Sequence, residues 1–126
     1  MADQRALRVF VIDDDEDIRE VLSQVLTARG YLVDTAAGGS EALARLRSGP
    51  PPALILLDLR MPGMSGWEFR REQRRDPAIA DIPVVILSGG AGSPMERMTL
   101  DAADVLYKPV DLDELTRKVA RHARRH

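Results

Sequence analysis

Five polar side chains follow directly on short apolar runs, at points where the chain would leave a strand. They are Asp13 and Asp14 after RVFVI at 8–12, Asp58 after ALILL at 53–57, Ser88 after PVVIL at 83–87, and Lys108 after DVLY at 104–107. Parallel strands end at one edge of a sheet, so these groups are expected to converge there. Three carboxylates held together repel one another unless a hard divalent cation lies among them. The pattern therefore predicts a Mg2+ site.

The same side chains suit phosphoryl transfer. Mg2+ accepts few protein ligands and keeps places for water or phosphate oxygens, so an open carboxylate site is typical of that chemistry. A carboxylate can attack phosphorus, while a hydroxyl and an ammonium group neutralise charge on the phosphoryl oxygens. Asp58 is the predicted nucleophile, because it ends an apolar strand and precedes LRMPGMSG, which favours a tight exposed loop. Ser88 and Lys108 are predicted to contact the phosphoryl group.

Five strands are predicted to position these groups, at 8–12, 31–36, 53–57, 83–87 and 104–107. The runs at 54–57 and 84–87 contain no alternating polar residues, which indicates that both faces of those strands are covered. A parallel sheet between two layers of helices follows from this pattern.

Five helices are predicted between and after the strands. The clearest has an apolar stripe with helical spacing that ends at Gly30: Ile18, Val21, Leu22, Val25 and Leu26. Three more begin at N-caps with an acidic third residue: Ser65 with Glu68, Ser93 with Glu96, and Asp111 with Glu114. A weaker segment at 40–46 completes the set. The expected fold is an α/β, doubly wound, five-stranded parallel sheet with five helices, and its ligand site lies at the carboxyl ends of the strands.

Length and charge define the class of protein. The chain has 126 residues, which predicts one domain over 1–126. Its formal net charge of -2 favours neither nucleic acid nor an anionic membrane as a partner. The absence of cysteine excludes thiol chemistry and fits a reducing compartment. The charged N-terminal residues do not form a secretory signal, and no run is long enough to span a membrane, so a cytoplasmic location is expected.

Four motifs occur in order at the strand ends: VIDDDED, LLDLRMPGMSG, VVILSGG and YKP. Together they resemble the receiver domain of two-component response regulators, which has a flavodoxin-like fold. The resemblance implies that Asp13, Asp14, Asp58 and the backbone carbonyl of Arg60 hold Mg2+. It also implies that Asp58 takes a phosphoryl group from a sensor histidine kinase or a phosphotransfer protein, and that Ser88 and Lys108 sense it. Such a domain is a signalling switch for a downstream protein rather than an enzyme.

The sequence departs from this family at the residues that relay the signal. Val105 stands where the family usually has Tyr or Phe, and Tyr107 is too close to Lys108 to be an obvious substitute. Arg60 and Gly90 occupy the two positions that tune hydrolysis of the phosphoryl group in this family. Gly90 has no side chain with which to orient water.

Two other functions are compatible with parts of the pattern. Asp13-x-Asp15, Ser88 and Lys108 resemble the motifs of aspartyl-nucleophile phosphatases, but that alternative leaves Asp58 and its loop unexplained. A docking module that acts without phosphorylation is the second alternative. The complete acidic site argues against it, since degenerate receivers usually lose an acidic residue or the lysine.

The remaining conspicuous residues are interpreted as structural. Asp15, Glu16 and Asp17 lie where a helix dipole favours negative charge. Trp67 is expected in partial core. The arginines of the third predicted helix, at 70, 71, 74 and 75, and His122 in the last helix are expected on solvated faces.

Overall fold

A computed structural model describes residues 6–89 and 100–123 of the chain. The strands are β1 (Arg8–Ile12), β2 (Leu32–Ala36), β3 (Leu54–Asp58), β4 (Val84–Ser88) and β5 (Asp104–Tyr107). The helices in these two ranges are α1 (Glu16–Ala28), α2 (Gly39–Ser48), α3 (Gly66–Arg75) and α4 (Leu112–His122). All five predicted strands are present, displaced by at most one residue. The helix predicted to begin at Ser93 lies outside the described residues.

The five strands form one parallel sheet in the order β2-β1-β3-β4-β5. Alternate strand residues pack into two cores, one on each face. Helices α2 and α3 cover one face through residues such as Leu43 and Phe69, and α1 and α4 cover the other through Leu22 and Leu115. The doubly wound fold is confirmed, and the apolar runs of β3 and β4 are explained by burial on both sides. None of the described helices has the length and apolar character needed to cross a bilayer.

Three of the four described helices, α1, α3 and α4, begin at side chains that accept hydrogen bonds from the first free amide groups, whereas the N-cap of α2 is Gly38, which has no side chain to do so. The Asp15 carboxylate accepts hydrogen bonds from the first turn of α1. Ser65 and Glu68 form a reciprocal capping box at α3, and Asp111 accepts from Glu114 N at α4. Both predicted caps in the described ranges are therefore confirmed.

Arg70 corrects the expectation that the arginines of α3 are solvated. Its side chain is buried, with the residue 6% exposed. The guanidinium donates to Leu100 O at 2.9 Å, to Asp101 O at 3.0 Å and to Gln73 Oε1 at 2.8 Å. The buried Gln73 in turn donates to Ile79 O and Ile82 O, just before β4. Arg70 and Gln73 thus tie α3 to the segments that enter β4 and β5.

His122 is also not on a solvated face. Its side chain is 15% exposed, and Nε2 lies 3.0 Å from Asp104 Oδ2 at the start of β5. Lys118 completes the group, with Nζ 3.0 Å from Asp104 Oδ1 and 2.7 Å from Val105 O. Burial works to raise the pKa of Asp104, but the hydrogen bonds from His122, Val105 N and Lys118 outweigh it and lower the pKa to about 2. The cluster attaches the last turns of α4 to β5.

Candidate functional site

The sheet brings the predicted groups to one edge. Ile12 of β1 pairs with Leu57 of β3, so Asp13 and Asp58 emerge side by side at the carboxyl ends of these central strands. The chain leaves β1 for β2 on one side and later enters β3 on the other, which makes this the switch point of the sheet. Ligands bind at such points in open α/β sheets.

Three carboxylates form the centre of the site. Asp13, Asp14 and Asp58 each offer an oxygen, and these oxygens lie within 4.8 Å of one another. Asp13 is fully buried and Asp58 is 4% exposed, whereas Asp14 is exposed. Asp13 Oδ1 accepts a hydrogen bond from Asp15 N at 3.0 Å. The predicted acidic cluster is therefore present as a geometric group.

Lys108 bridges the two buried carboxylates. Its Nζ lies 2.8 Å from Asp13 Oδ2 and 3.5 Å from Asp58 Oδ1. Asp13 Oδ2 has no well-directed hydrogen bond, so its contact with Lys108 is mainly an ion pair. Burial works to lower the pKa of Lys108, but Asp13 and Asp58 outweigh it and raise the pKa above its usual value. Lys108 is thus a charged ammonium group whose counterions are the site's own carboxylates.

The protein's own groups stabilise the Asp58 anion poorly. The pKa of Asp58 is raised to about 6, chiefly because burial disfavours the anion and secondly because Asp13 carries a negative charge. Lys108 and a weak hydrogen bond of 3.4 Å from Arg60 N to Asp58 Oδ1 act in the opposite direction without cancelling it. The single ammonium group of Lys108 therefore does not balance the negative charge of the three clustered carboxylates.

Replacing Asp58 by Asn is expected to stabilise the protein in EDTA at pH 7. The native pKa lies above the ordinary value, so ionisation destabilises the fold as pH rises from about 4 to about 6. Asn mimics the protonated side chain and removes this cost, which we expect to increase the free energy of unfolding by about 1–2 kcal/mol. Urea denaturation at pH 7 and pH 4.5 measures the change, which should be smaller at the lower pH.

The exposed Asp81 provides the control, since it precedes β4 and Asp81→Asn therefore removes a carboxylate at the amino ends of the strands, opposite the site. It should leave the unfolding free energy nearly unchanged. A divalent cation that binds all three carboxylates would reduce the advantage of Asp58→Asn, because it would stabilise wild type more than the variant that lacks one of them. A destabilised Asp58→Asn protein in EDTA would contradict this account of the electrostatics.

Ser88 and Arg60 lie at the edges of the cluster. Ser88 ends β4, is almost fully buried, and its carbonyl accepts a hydrogen bond of 2.7 Å from Lys108 N. The backbone of Arg60 is next to Asp58, while its guanidinium lies 5.8 Å from the centre of the Trp67 ring. Trp67, in the first turn of α3, is partly buried and packs against the core on that face of the sheet, as expected. Ser88 and Arg60 are therefore near the site, and their roles in phosphoryl transfer and Mg2+ binding remain predictions.

Val105 and Tyr107, the residues at and near the position where the family usually has an aromatic side chain, differ in burial. Val105 is buried in the core under α2 and α3. Tyr107 is 46% exposed at the end of the edge strand. Gly90 lies outside the described residues.

The pattern did not identify two residues that shape the site. Gly66 N donates to Leu59 O at 2.9 Å, and the Gly66 Cα lies against the backbone of Asp58 and Leu59. The Arg19 guanidinium donates to Asp13 O at 2.8 Å. The second glycine of MPGMSG was a usable signal for Gly66. No spacing rule indicates that Arg19 turns back to a strand end.

The residues fit a small hard cation. The donor set consists of oxygen atoms from carboxylates, they lie close enough to share one ion, and one carboxylate is exposed where water or phosphate can enter. The buried Asp13 Oδ2 forms an ion pair with Lys108 at 2.8 Å but has no hydrogen-bond donor, so it has a lone pair that a metal ion could share. Fold and site thus define an α/β protein with a cluster of three carboxylates, suited to a cation, at the switch point of its sheet.

Comparison with known proteins identifies the family. A family model described as response regulator receiver domain matches residues 9–120. The response regulator PleD of Caulobacter vibrioides is 40% identical over 106 residues, which are 82% of this chain and 23% of PleD. The response regulator MprA of Mycobacterium ulcerans is 38% identical over 123 residues, which are 95% of this chain and 51% of MprA.

Solved structures agree. The chemotaxis protein CheY4 of Vibrio cholerae superposes with a TM-score of 0.86 at 31% identity, covering 94% of this chain and 99% of that one. The chain belongs to the response regulator receiver domain family. This is a family of two-component signalling modules rather than enzymes, in which phosphorylation and Mg2+ binding at an acidic pocket are general features. The chain therefore spans about a quarter of the length of PleD (23%) and about half of the length of MprA (51%).

Proposed function

We propose that Asp58 accepts a phosphoryl group from the phosphohistidine of a sensor histidine kinase or a phosphotransfer protein. The observation that carries the proposal is the Lys108 ammonium held between Asp13 and Asp58 within the acidic cluster. A nucleophilic carboxylate, its acidic neighbours and a positive charge thereby share one open edge of the sheet. Phosphorylation then switches the contacts of this domain with a downstream protein.

Asp13, Asp14, Asp58 and the backbone carbonyl of Arg60 would hold Mg2+. When bound, the ion neutralises negative charge on the carboxylates and on the phosphoryl oxygens. The raised pKa of Asp58 supports this assignment, because a group that lacks positive charge gains most from a cation. The exposed side of the cluster at Asp14 leaves room for the incoming phosphoryl group.

The transfer exchanges one bond for another. An Asp58 carboxylate oxygen attacks phosphorus, the P–N bond to the donor imidazole breaks, and its electron pair stays on the imidazole nitrogen. The product is an acyl phosphate on Asp58. Lys108, which contacts both buried carboxylates, would then pair with a phosphoryl oxygen, and the Ser88 hydroxyl would donate to another.

We further propose that residues 1–126 form one receiver domain, which meets its phosphoryl donor in the cytoplasm. Nucleic acid and membrane are not proposed as its partners, since the net charge of -2 provides no general attraction to either. The activity of a complete regulator is a separate question, because the curated relatives are longer than the matched region.

The phosphatase alternative is less consistent with the geometry. It needs a second acidic residue at Asp15, next to a nucleophilic Asp13. The Asp15 Oδ1 instead accepts from Asp17 N at 2.9 Å and Ile18 N at 3.3 Å, which commits it to capping α1. The Asp13 carboxylate contacts Lys108 and Asp15 N and is fully buried.

Intact-mass spectrometry tests the proposal. The protein is incubated with Mg2+ and acetyl phosphate or phosphoramidate, small donors that replace the phosphohistidine. Wild type should gain one phosphoryl group, whereas Asp58→Asn should gain none and EDTA should prevent the reaction. Asp81→Asn, which removes an exposed aspartate, should react like wild type.

The other outcomes select between the alternatives. A covalent adduct that survives Asp58→Asn but is lost in Asp13→Asn would favour the phosphatase mechanism. No adduct on wild type, together with no binding of beryllofluoride, would favour the docking module that acts without phosphorylation.

A further inference from the structure

Arg19 reaches from α1 to the end of β1. Its side chain is half-buried, and Nη1 donates to the backbone carbonyl of Asp13 at 2.8 Å. The backbone of the same residue continues the helix, with Arg19 N donating to Asp15 O at 3.1 Å. A long cationic side chain has therefore been turned back onto a main-chain oxygen between two acidic residues.

That carbonyl belongs to the peptide group joining Asp13 to Asp14. Asp13 is fixed on its other side, because Asp13 N donates to Ala36 O and Asp13 Oδ1 accepts from Asp15 N. Asp15 is fixed by capping α1. Asp14 lies between them with an exposed side chain, so its direction depends on the orientation of the peptide groups on either side.

We infer that Arg19 is a positioning residue for the cation site: its hydrogen bond to Asp13 O orients the Asp13–Asp14 peptide so that the Asp14 carboxylate faces Asp58. The inference rests on the proposed Mg2+ site and adds a residue that does not touch the ion. Asp14 contributes an oxygen within 4.8 Å of the other two carboxylates, although it is the exposed member of the set. An exposed ligand needs such support more than a buried one.

The direction in which Mg2+ affinity changes when Arg19 is replaced distinguishes a positioning role from a purely electrostatic one. Removing a cation near an acidic site should, by electrostatics alone, strengthen the binding of Mg2+. Loss of positioning should weaken it. We expect Arg19→Gln to weaken Mg2+ binding about 10-fold, in the range found for residues that support metal ligands.

Isothermal titration calorimetry with MgCl2 alone measures the affinity of wild type, Arg19→Gln and Arg19→Lys. Arg29→Gln is the matched control, because Arg29 is an exposed arginine at the opposite end of α1. The control should bind like wild type, and Arg19→Lys should bind between wild type and Arg19→Gln. Urea denaturation shows whether each variant is folded at the titration temperature. If Arg19→Gln is unfolded, the Mg2+ affinity of the folded Arg19→Lys decides: weaker binding than wild type supports the inference, and unchanged or tighter binding overturns it.

A double-mutant cycle tests whether the effect passes through Asp14. If it does, adding Arg19→Gln to Asp14→Asn should change Mg2+ affinity by less than about 2-fold, because the oriented ligand has already been lost. An equally large loss in the Asp14→Asn background would overturn the inference, as would tighter or unchanged binding by Arg19→Gln alone. Wild type that fails to bind Mg2+ at all would instead refute the proposed metal site, and the inference with it.

Discussion

Arg70→Met is expected to lower the free energy of unfolding by about 3 kcal/mol, because it removes the donor of two buried hydrogen bonds and one partly buried hydrogen bond. Met preserves much of the side-chain length and has a similar helix propensity, so the loss reports the guanidinium rather than the helix. The acceptors are Leu100 O, Asp101 O and Gln73 Oε1. Urea denaturation monitored by circular dichroism measures the change.

Arg71→Met is the control for this prediction. Arg71 lies on the same helix, is exposed, and should tolerate the substitution within about 0.5 kcal/mol. Arg70→Lys keeps the charge but lacks the planar fork, so it should recover only part of the stability. If Arg70→Met and Arg71→Met lose equally little, the buried hydrogen bonds of Arg70 contribute no net stability.

Gly66→Ala is expected to disturb both the fold and the site. A Cβ at Gly66 would lie 2.5 Å from Asp58 O and 2.6 Å from Leu59 Cα, so the backbone that carries Asp58 must move. Overpacking of this kind costs about 2 kcal/mol of stability. Displacing Asp58, the proposed nucleophile, by about 1 Å should slow its phosphorylation about 100-fold. Urea denaturation and the time course of phosphorylation by acetyl phosphate measure the two effects.

Gly38→Ser is the matched control for the added Cβ. A Cβ at Gly38 would meet nothing within 4 Å, and Ser is favoured at this position because Gly38 is the N-cap of α2. Its stability and phosphorylation rate should stay close to wild type. Phosphorylation of Gly66→Ala at the wild-type rate would show that the loop after Asp58 adjusts without moving the carboxylate.

The sequence by itself determined the sheet and the chemical character of its edge. Apolar runs of four or five residues between amphipathic segments predict a covered parallel sheet, because both signals are local and periodic. The polar residues that follow four of the five predicted strands then mark strand ends. The sequence also predicted that Asp13, Asp14, Asp58 and Lys108 would converge, since parallel strands end at the same edge, and the structure brings these side chains together.

The tertiary structure alone decided which members of a local pattern are buried. Arg70 and Arg71 are adjacent arginines on one helix. Arg70 donates hydrogen bonds to backbone carbonyls 30 and 31 residues later in the chain, whereas Arg71 is exposed. Local periodicity carries no information about such distant partners. His122 is paired with a residue 18 positions earlier for the same reason. Arg19 differs because its acceptor, Asp13 O, is only six residues earlier in the chain. The hydrogen bond nevertheless depends on the orientation of α1 relative to the end of β1. Spacing specifies which face a residue occupies, whereas its partner depends on what the fold places opposite that face.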